Sequence, residues 1–349
     1  MLPGPIWLYY SNVAVEHRGA EDGRCLGERV AGKYELRSLL GAGSMGAVYE
    51  GVHLELEKRV AVKVLRAEFC GSPEAVGRFR REARAASAVE SEHIAQIFDF
   101  GRDERLGLYM VIEYLKGEDL EVRLARQPRI DTGEATTIAI HVARGLCRAH
   151  GAGIIHRDLK PANVFLTRRD DGSTLAKILD FGISKIHVAP QVPSGCVEPT
   201  LTQFGTTLGT PQYMSPEQCQ AGAGIDGRTD VWSLCAVLYE MLAGEPAVSD
   251  VGGVIATMGR IVTKDIPPLG ERAPWVPAEI ARVVDEGLVR DPKRRLGGAA
   301  IMAARLVAAC SVAAATEGVD AVPPSSGEDR VERFMRTGEV PVAIGKGAR

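Results

Sequence analysis

The hydrophobic pattern changes character once, near residue 118, and that change limits the folds open to the chain. Before it, short runs rich in Val, Ile, Leu and Tyr dominate: "YELRSLL", "AVYEGVHL", "RVAVKVL", "IAQIFDFG" and "LYMVIEYL". Period-two alternation between turn residues marks an antiparallel meander. One helical stretch interrupts the series. In "SPEAVGRFRREARAASAV" Ser72 can cap, Pro73 suits the first helical position, and Val76, Phe79, Ala83 and Ala86 recur at helical spacing. After residue 118 the period is helical. The segments are "GEATTIAIHVARGLCRAHGAG", "TDVWSLCAVLYEMLAG" with Gly244 at its end, and "PAEIARVVDEGLVRDPKRR", which should stop near Pro292. Strands followed by helices predict an α+β chain in two lobes.

Bulk properties narrow the classes of function. The 349 residues suffice for two lobes, and a formal net charge of -3 gives no basic excess. Nucleic acid or an anionic membrane is therefore not implied as a partner. The seven cysteines, Cys25, Cys70, Cys147, Cys196, Cys219, Cys235 and Cys310, are scattered without a CxxC pair. That usage predicts reduced thiols and a cytoplasmic location. Residues 1–33 lack sustained periodicity and a basic n-region, and read as a loose leader. The Ala-rich run 299–315 contains Arg305 and reads as a buried helix rather than a membrane span. Residues 317–349 are rich in Pro, Ser, Gly and charge, the composition of a disordered tail.

Four segments carry chemistry. "HRDLKPANVF" sets Asp158, Lys160 and Asn163 within six residues, with Pro161 stiffening a loop expected between two strands. "LGAGSMGAVYEG" holds Gly41, Gly43 and Gly46, which let backbone N–H groups approach a polyphosphate. A dinucleotide turn would need a helix next, and a strand follows instead; a plain Gly-rich hairpin stays open on this stretch alone. "VAVKVL" buries Lys63 in an apolar strand on the same face as Ala61. A buried lysine needs an acid, and Glu82 on the following helix is the expected partner; a solvated edge lysine is the alternative. "KILDFGISK" ends an apolar strand at Asp180, a carboxylate that could join Asn163 around Mg²⁺ or simply serve the turn.

In this order and spacing the segments resemble the protein kinases, over about residues 34–312. The texture of "HRDLKPAN", "LDFGISK", "LGTPQYMSPEQ" and "RTDVWSLCAVLYEML" is similar to bacterial eukaryotic-like (Hanks-type) serine/threonine kinases. The resemblance implies a bilobal kinase fold: an antiparallel-sheet N-lobe with one main helix (34–115) and a helical C-lobe (116–312). It implies transfer of the γ-phosphate of ATP, with Mg²⁺ or Mn²⁺, to Ser/Thr hydroxyls of protein substrates. Leu40, Gly41, Ala42, Gly43, Ser44, Met45, Gly46, Ala47 and Val48 would cover the nucleotide. Val48 and Ala61 would roof the adenine, with Phe165 beneath it. Ile112 would be the gatekeeper, and the backbone of Glu113 and Leu115 would bind the base. Lys63, paired with Glu82, would hold the α/β phosphates. Asp158 would be the base, Lys160 would touch the transferring phosphate, and Asn163 and Asp180 would hold metal. Asp230 would anchor the catalytic loop, and Glu217 would pair with Arg295.

The resemblance further implies self-association for trans-autophosphorylation of the activation segment 180–217. Thr202 is the first candidate there, then Thr206 and Thr207, with Thr210 fixed in the substrate-binding turn. Departures are mild: Ser215-Pro216-Glu217 replaces the usual Ala-Pro-Glu, Leu296 follows Arg295 where Pro is common, and 188–200 lengthens the activation segment. A non-catalytic scaffold would have lost Lys63, Asp158 or Asp180, which are intact. A small-molecule kinase would lack the "GTPQYMSPE" docking type of segment.

Overall fold

The computed structural model describes residues 25–42, 46–65, 70–180, 211–220 and 225–317. The N-terminal sheet is antiparallel in the order β1-β2-β3-β4-β6-β5. Its strands are β1 (Arg29–Val30), β2 (Tyr34–Ala42), β3 (Gly46–His53), β4 (Lys58–Leu65), β5 (Ile97–Asp103) and β6 (Gly107–Glu113). Period-two alternation sorts the side chains onto two faces. Tyr49, Val60, Val62, Val64, Tyr109 and Val111 form one apolar cluster with Val30, Tyr34 and Leu36. Leu65, Leu108 and Met110 occupy the other face, against Phe79 and Ala83 of α1 (Pro73–Ser87). Ser72 Oγ accepts from Ala75 N–H at 3.3 Å, so the predicted start of α1 holds. The turn into β3 needs a glycine at 46, because a Cβ there would lie 2.3 Å from the Val64 carbonyl oxygen.

The C-terminal part opens with a small sheet, β7 (Gly117–Asp119), β8 (Val164–Arg168) and β9 (Thr174–Ile178), in the order β7-β8-β9. Around it lie α2 (Leu120–Arg126), α3 (Thr132–Gly151), α4 (Pro216–Cys219), α5 (Arg228–Ala243), α6 (Gly253–Thr263), α7 (Leu269–Arg272), α8 (Ala278–Gly287) and α9 (Ala299–Glu317). Almost every residue of α5 is buried, as expected of the helix at the centre of a lobe. Gly244 ends it at φ 84°. In α9, Met302, Ala303 and Leu306 are in the core and Arg305 pairs with Glu286. This run is a packed helix, and no helix among the described residues is long and apolar enough to cross a membrane.

Two expectations need correction, and one helix is an addition. The helix predicted from 277 to near Pro292 stops at Gly287. A Cβ at Gly287 would sit 2.1 Å from Cys235 Sγ, and beyond it the Arg295 guanidinium takes the Val289 and Arg290 carbonyls. Residues 154–155 before the catalytic motif are not a strand. The N–H groups of His156 and Arg157 next to them go to the Asp230 carboxylate rather than to a neighbouring strand. Helix α6 was unanticipated, because its Gly-rich, β-branched sequence has weak helical propensity.

The two parts meet along the free edge of β9. Ile94 bridges Ile178, with Ala95 N–H donating to the Ile178 carbonyl at 3.0 Å and Ile178 N–H to the His93 carbonyl at 2.8 Å. Two stacked imidazoles continue the closure, His93 and His141, with centroids 4.5 Å apart. His93 Nδ1 lies 3.3 Å from the Ala176 carbonyl, and His141 Nδ1 accepts from Ala176 N–H at 3.3 Å. Burial lowers both, His93 to about 4 and His141 to about 3; Arg144 and Arg169 add to the effect, and Glu92 opposes it at His93.

Both rings therefore stay neutral in the fold while they protonate in the unfolded chain below about pH 6.5. The unfolded state then binds more protons, so stability falls as pH drops from about 6.5 toward 4. The size is about 2 kcal/mol per ring at pH 5. Asp119, raised by burial to about 6, offsets part of this between about pH 4 and 6. Melting temperatures measured from pH 7.5 to 5 should fall for the wild type and fall less for His141→Gln.

Candidate active site

Lys63 sits in β4 opposite Val48 of β3 and Met110 of β6, on the face that looks away from the Val/Tyr cluster. Its Nζ lies 2.9 Å from Asp180 Oδ2, with both side chains about one-fifth exposed or less (16% and 21%). Asp180 follows β9 and has φ 26°. Glu82, the expected partner of Lys63, is carried by α1, and its side chain lies outside the described residues.

The catalytic-loop residues converge on the same region. Lys160 Nζ is 3.8 Å from Asp158 Oδ2. Pro161–Asn163 forms a 3-10 turn, and Asn163 Nδ2 donates to the Asp158 carbonyl at 2.7 Å. The Asn163 carbonyl in turn accepts from Leu179 N–H at 2.9 Å, one residue before Asp180. Asp158, Asn163 and Asp180 are thus linked through backbone and amide. With Nδ2 committed, Asn163 has its amide oxygen to offer. That oxygen and the Asp180 carboxylate make a hard, all-oxygen donor set, which suits Mg²⁺ or Mn²⁺.

The loop is held from below. Asp230 of α5 is fully buried, accepts from His156 N–H and Arg157 N–H at 2.8 Å each, and contacts His150 Nε2 at 2.7 Å. These contacts fix Arg157 at φ 64°. A non-glycine residue in that region costs about 1–3 kcal/mol and persists only where its surroundings over-determine it.

Of the expected nucleotide-facing residues, Val48, Ala61 and Ile112 share the Lys63 side of the sheet, whereas Ala42 and Ala47 pack with the Val/Tyr cluster on the other. Val48 is opposite Lys63, and Ala61 is opposite Ile112. Leu40, Ala47 and Val48 are buried, and Gly41, Ala42 and Gly46 half-buried; Gly43, Ser44 and Met45 lie outside the described residues. Glu113 N–H is donated to the Gln96 carbonyl at 2.8 Å, and Leu115 is half-buried beyond it. Phe165 is fully buried in β8 between Asp119 of β7 and Lys177 of β9. Thr202, Thr206, Thr207 and Thr210 lie outside the described residues.

Sequence reasoning missed three neighbours. Lys177 is buried and its Nζ reaches both Glu113 carboxylate oxygens, at 2.8 and 3.0 Å. The logic applied to Lys63, a lysine in an apolar strand, would have flagged it. Asp119, beside Phe165, caps α2 by accepting from Val122 N–H at 2.8 Å; an acid just before an apolar run was the available clue. Gln218 carries the S-x-x-Q capping-box spacing from Ser215, but nothing in that spacing points to its amide reaching Arg157.

The expected Glu217–Arg295 pair is present, at 2.7 and 3.0 Å. Arg295 also donates to the carbonyls of Val289, Arg228 and Arg290 and lies 5.1 Å from the Trp232 ring centroid. Burial alone would raise the Glu217 carboxyl, but the Arg295 hydrogen bonds and charge outweigh it and hold it below the usual range. Arg295→Ala would strand a buried carboxylate and three carbonyls. The expected loss is about 3–5 kcal/mol, read as a fall in melting temperature of about 10 °C.

The fold and this cluster define a protein kinase. The chain belongs to the protein kinase domain family, whose profile matches residues 34–307. Members use ATP and a divalent metal and act on protein substrates. Among its relatives, the chain is 36% identical over 286 residues to the serine/threonine-protein kinase pkn3 of Myxococcus xanthus, covering 81% of this chain and 51% of that protein. It is 35% identical over 275 residues to PknA of Mycobacterium tuberculosis, covering 77% and 59%. The chain thus spans about half the length of the curated relatives it matches. Among solved structures it is similar to the Mycobacterium tuberculosis PknI kinase domain, with TM-score 0.60 and 28% identity, over 81% of this chain and 98% of that one.

Proposed function

We propose that this chain catalyses Mg²⁺-dependent transfer of the γ-phosphate of ATP to serine or threonine hydroxyls of proteins. The observation that carries the reading is the convergence of Lys63, Asp180, Asn163, Asp158 and Lys160, tied together by contacts of 2.7 to 3.8 Å. Phosphoryl transfer needs mainly positioning and electrostatic stabilisation, and such a cluster supplies both. In this reading the Gly-rich turn of 40–48 and Lys63 bind the nucleotide phosphates. Val48, Ala61 and Phe165 enclose the base beside Ile112, Glu113 and Leu115. Asn163 and Asp180 hold Mg²⁺, or Mn²⁺ in its place, and the ion neutralises charge on the phosphates. Asp158 accepts the hydroxyl proton, and Lys160 steadies the transferred group. Lys63 is also expected to pair with Glu82 in the active state.

The kinase domain would run over 34–312, and the reaction would take place in the cytoplasm, on the evidence of the scattered free thiols Cys25, Cys70, Cys147, Cys219, Cys235 and Cys310. Transfer of radiolabelled phosphate from ATP to a generic protein acceptor tests the activity. Retention of the label on Ser and Thr after acid hydrolysis tests the residue class.

Two copies would meet for autophosphorylation in trans. Thr202 is the expected site, followed by Thr206 and Thr207. A phosphate there adds about -1.5 to -2 charge, for which Arg157 beside the base is the natural cationic partner. Mass spectrometry should find phosphate between residues 200 and 207 in wild-type protein and none in Asp158→Asn. Full activity of wild-type protein that carries no phosphate in this stretch would remove the switch.

A further inference from the structure

The backbone of Arg157 is gripped from two elements. Asp230 of α5 accepts the Arg157 N–H at 2.8 Å, and Gln218 Nε2 donates to the Arg157 carbonyl at 2.7 Å. The same Gln218 amide accepts the Ser215 N–H through Oε1 at 3.0 Å, and Ser215 caps α4 in return. Both partners are backbone atoms whose donor or acceptor nature is fixed. Only one orientation of the amide satisfies them, so its assignment follows from chemistry.

Gln218 thereby has two jobs in one side chain. It completes the capping box at the start of α4, where residues 211–220 dock on α5 through Ser233 Oγ, which donates to the Tyr213 carbonyl at 2.8 Å. It also restrains the carbonyl of a residue held at φ 64°, immediately before Asp158. Asp230 secures only the N–H side of Arg157. Gln218 restrains the carbonyl side, the peptide plane that leads into Asp158, whose N–H reaches His156 Nδ1 at 3.3 Å and whose carbonyl accepts from Asn163 Nδ2 at 2.7 Å.

We propose that Gln218 is a positioning residue for phosphoryl transfer: it holds the Arg157–Asp158 peptide in its left-handed turn and couples the aim of Asp158 to the seating of residues 211–220. The proposal rests on the kinase reading above. Residues that do not touch the reacting atoms act in this way when they set the geometry of one that does.

The discriminating variant is Gln218→Glu. Glutamate serves a capping box as well as glutamine does, so α4 is kept. A carboxylate cannot donate to the Arg157 carbonyl, and it places negative charge against that oxygen. At pH 8 kcat should fall about tenfold or more, with KM for ATP changed less than about twofold. If kcat at pH 8 stays within about twofold of wild type, the proposal is wrong.

Should Gln218→Glu melt far below wild type, Gln218→Met carries the test. It is uncharged, similar in length and without a donor. A pH-independent loss of kcat with normal KM is then expected, and wild-type kcat would overturn the proposal. A wild-type chain with no transfer activity would defeat the kinase reading itself. An active wild type with an unaffected variant defeats the positioning role alone.

Discussion

Asp158→Asn is expected to lower phosphoryl transfer by about 10²–10⁴-fold while leaving nucleotide binding near wild type. The substitution keeps the side-chain volume. It also keeps the Asp158 carbonyl that accepts from Asn163 Nδ2 at 2.7 Å, so the loop should hold its shape. What it removes is the carboxylate proposed to take the hydroxyl proton, and with it the charge 3.8 Å from Lys160 Nζ. Single-turnover transfer with and without the substitution, beside calorimetric titration of ATP, separates the two effects. Transfer at the wild-type rate would mean that another group is the base.

Asp180→Ala should reduce transfer to background, for a different reason. Asp180 is engaged with Lys63 at 2.9 Å and belongs, with Asn163, to the hard-oxygen donor set suited to Mg²⁺. Its loss removes the metal's carboxylate and leaves Lys63 without this partner. Lys63→Met should likewise abolish transfer and keep the melting temperature, because Lys63 lies outside the apolar clusters that hold the sheet. Excess chelator should silence the wild-type enzyme, and added Mg²⁺ should restore it. The restoring ion should do nothing for Asp180→Ala. Full activity in chelator would sink the metal assignment.

Both predictions use residues that were legible before any coordinates. Local chemistry made them so. Lys63 stands out because a charge in an apolar strand demands a partner, and Asp158, Lys160 and Asn163 because three functional groups share one short, Pro-stiffened turn. Strand and helix order was readable for the same reason: period and caps are local properties. The start of α1 at Pro73 and the end of α5 at Gly244 fall where the sequence places them.

The failures have a non-local origin. Residues 154–155 read as an apolar strand, yet the backbone N–H groups of the next two residues are claimed by Asp230, some seventy positions away. Helix α8 is shorter than its period suggests because Gly287 packs against Cys235 of α5, and because Arg295, held by Glu217 from 78 positions away, takes the Val289 and Arg290 carbonyls. Sequence alone picked out the residue types proposed to carry the chemistry and the kind of element on which each rides. Tertiary structure alone decided their aim: that Lys63 meets Asp180, that Lys177 meets Glu113, and that a glutamine of α4 grips the peptide before Asp158. The reason is physical. A hydrophobic period or a cap depends on neighbours within one or two turns, whereas a buried donor takes whichever acceptor the folded chain brings within 3 Å.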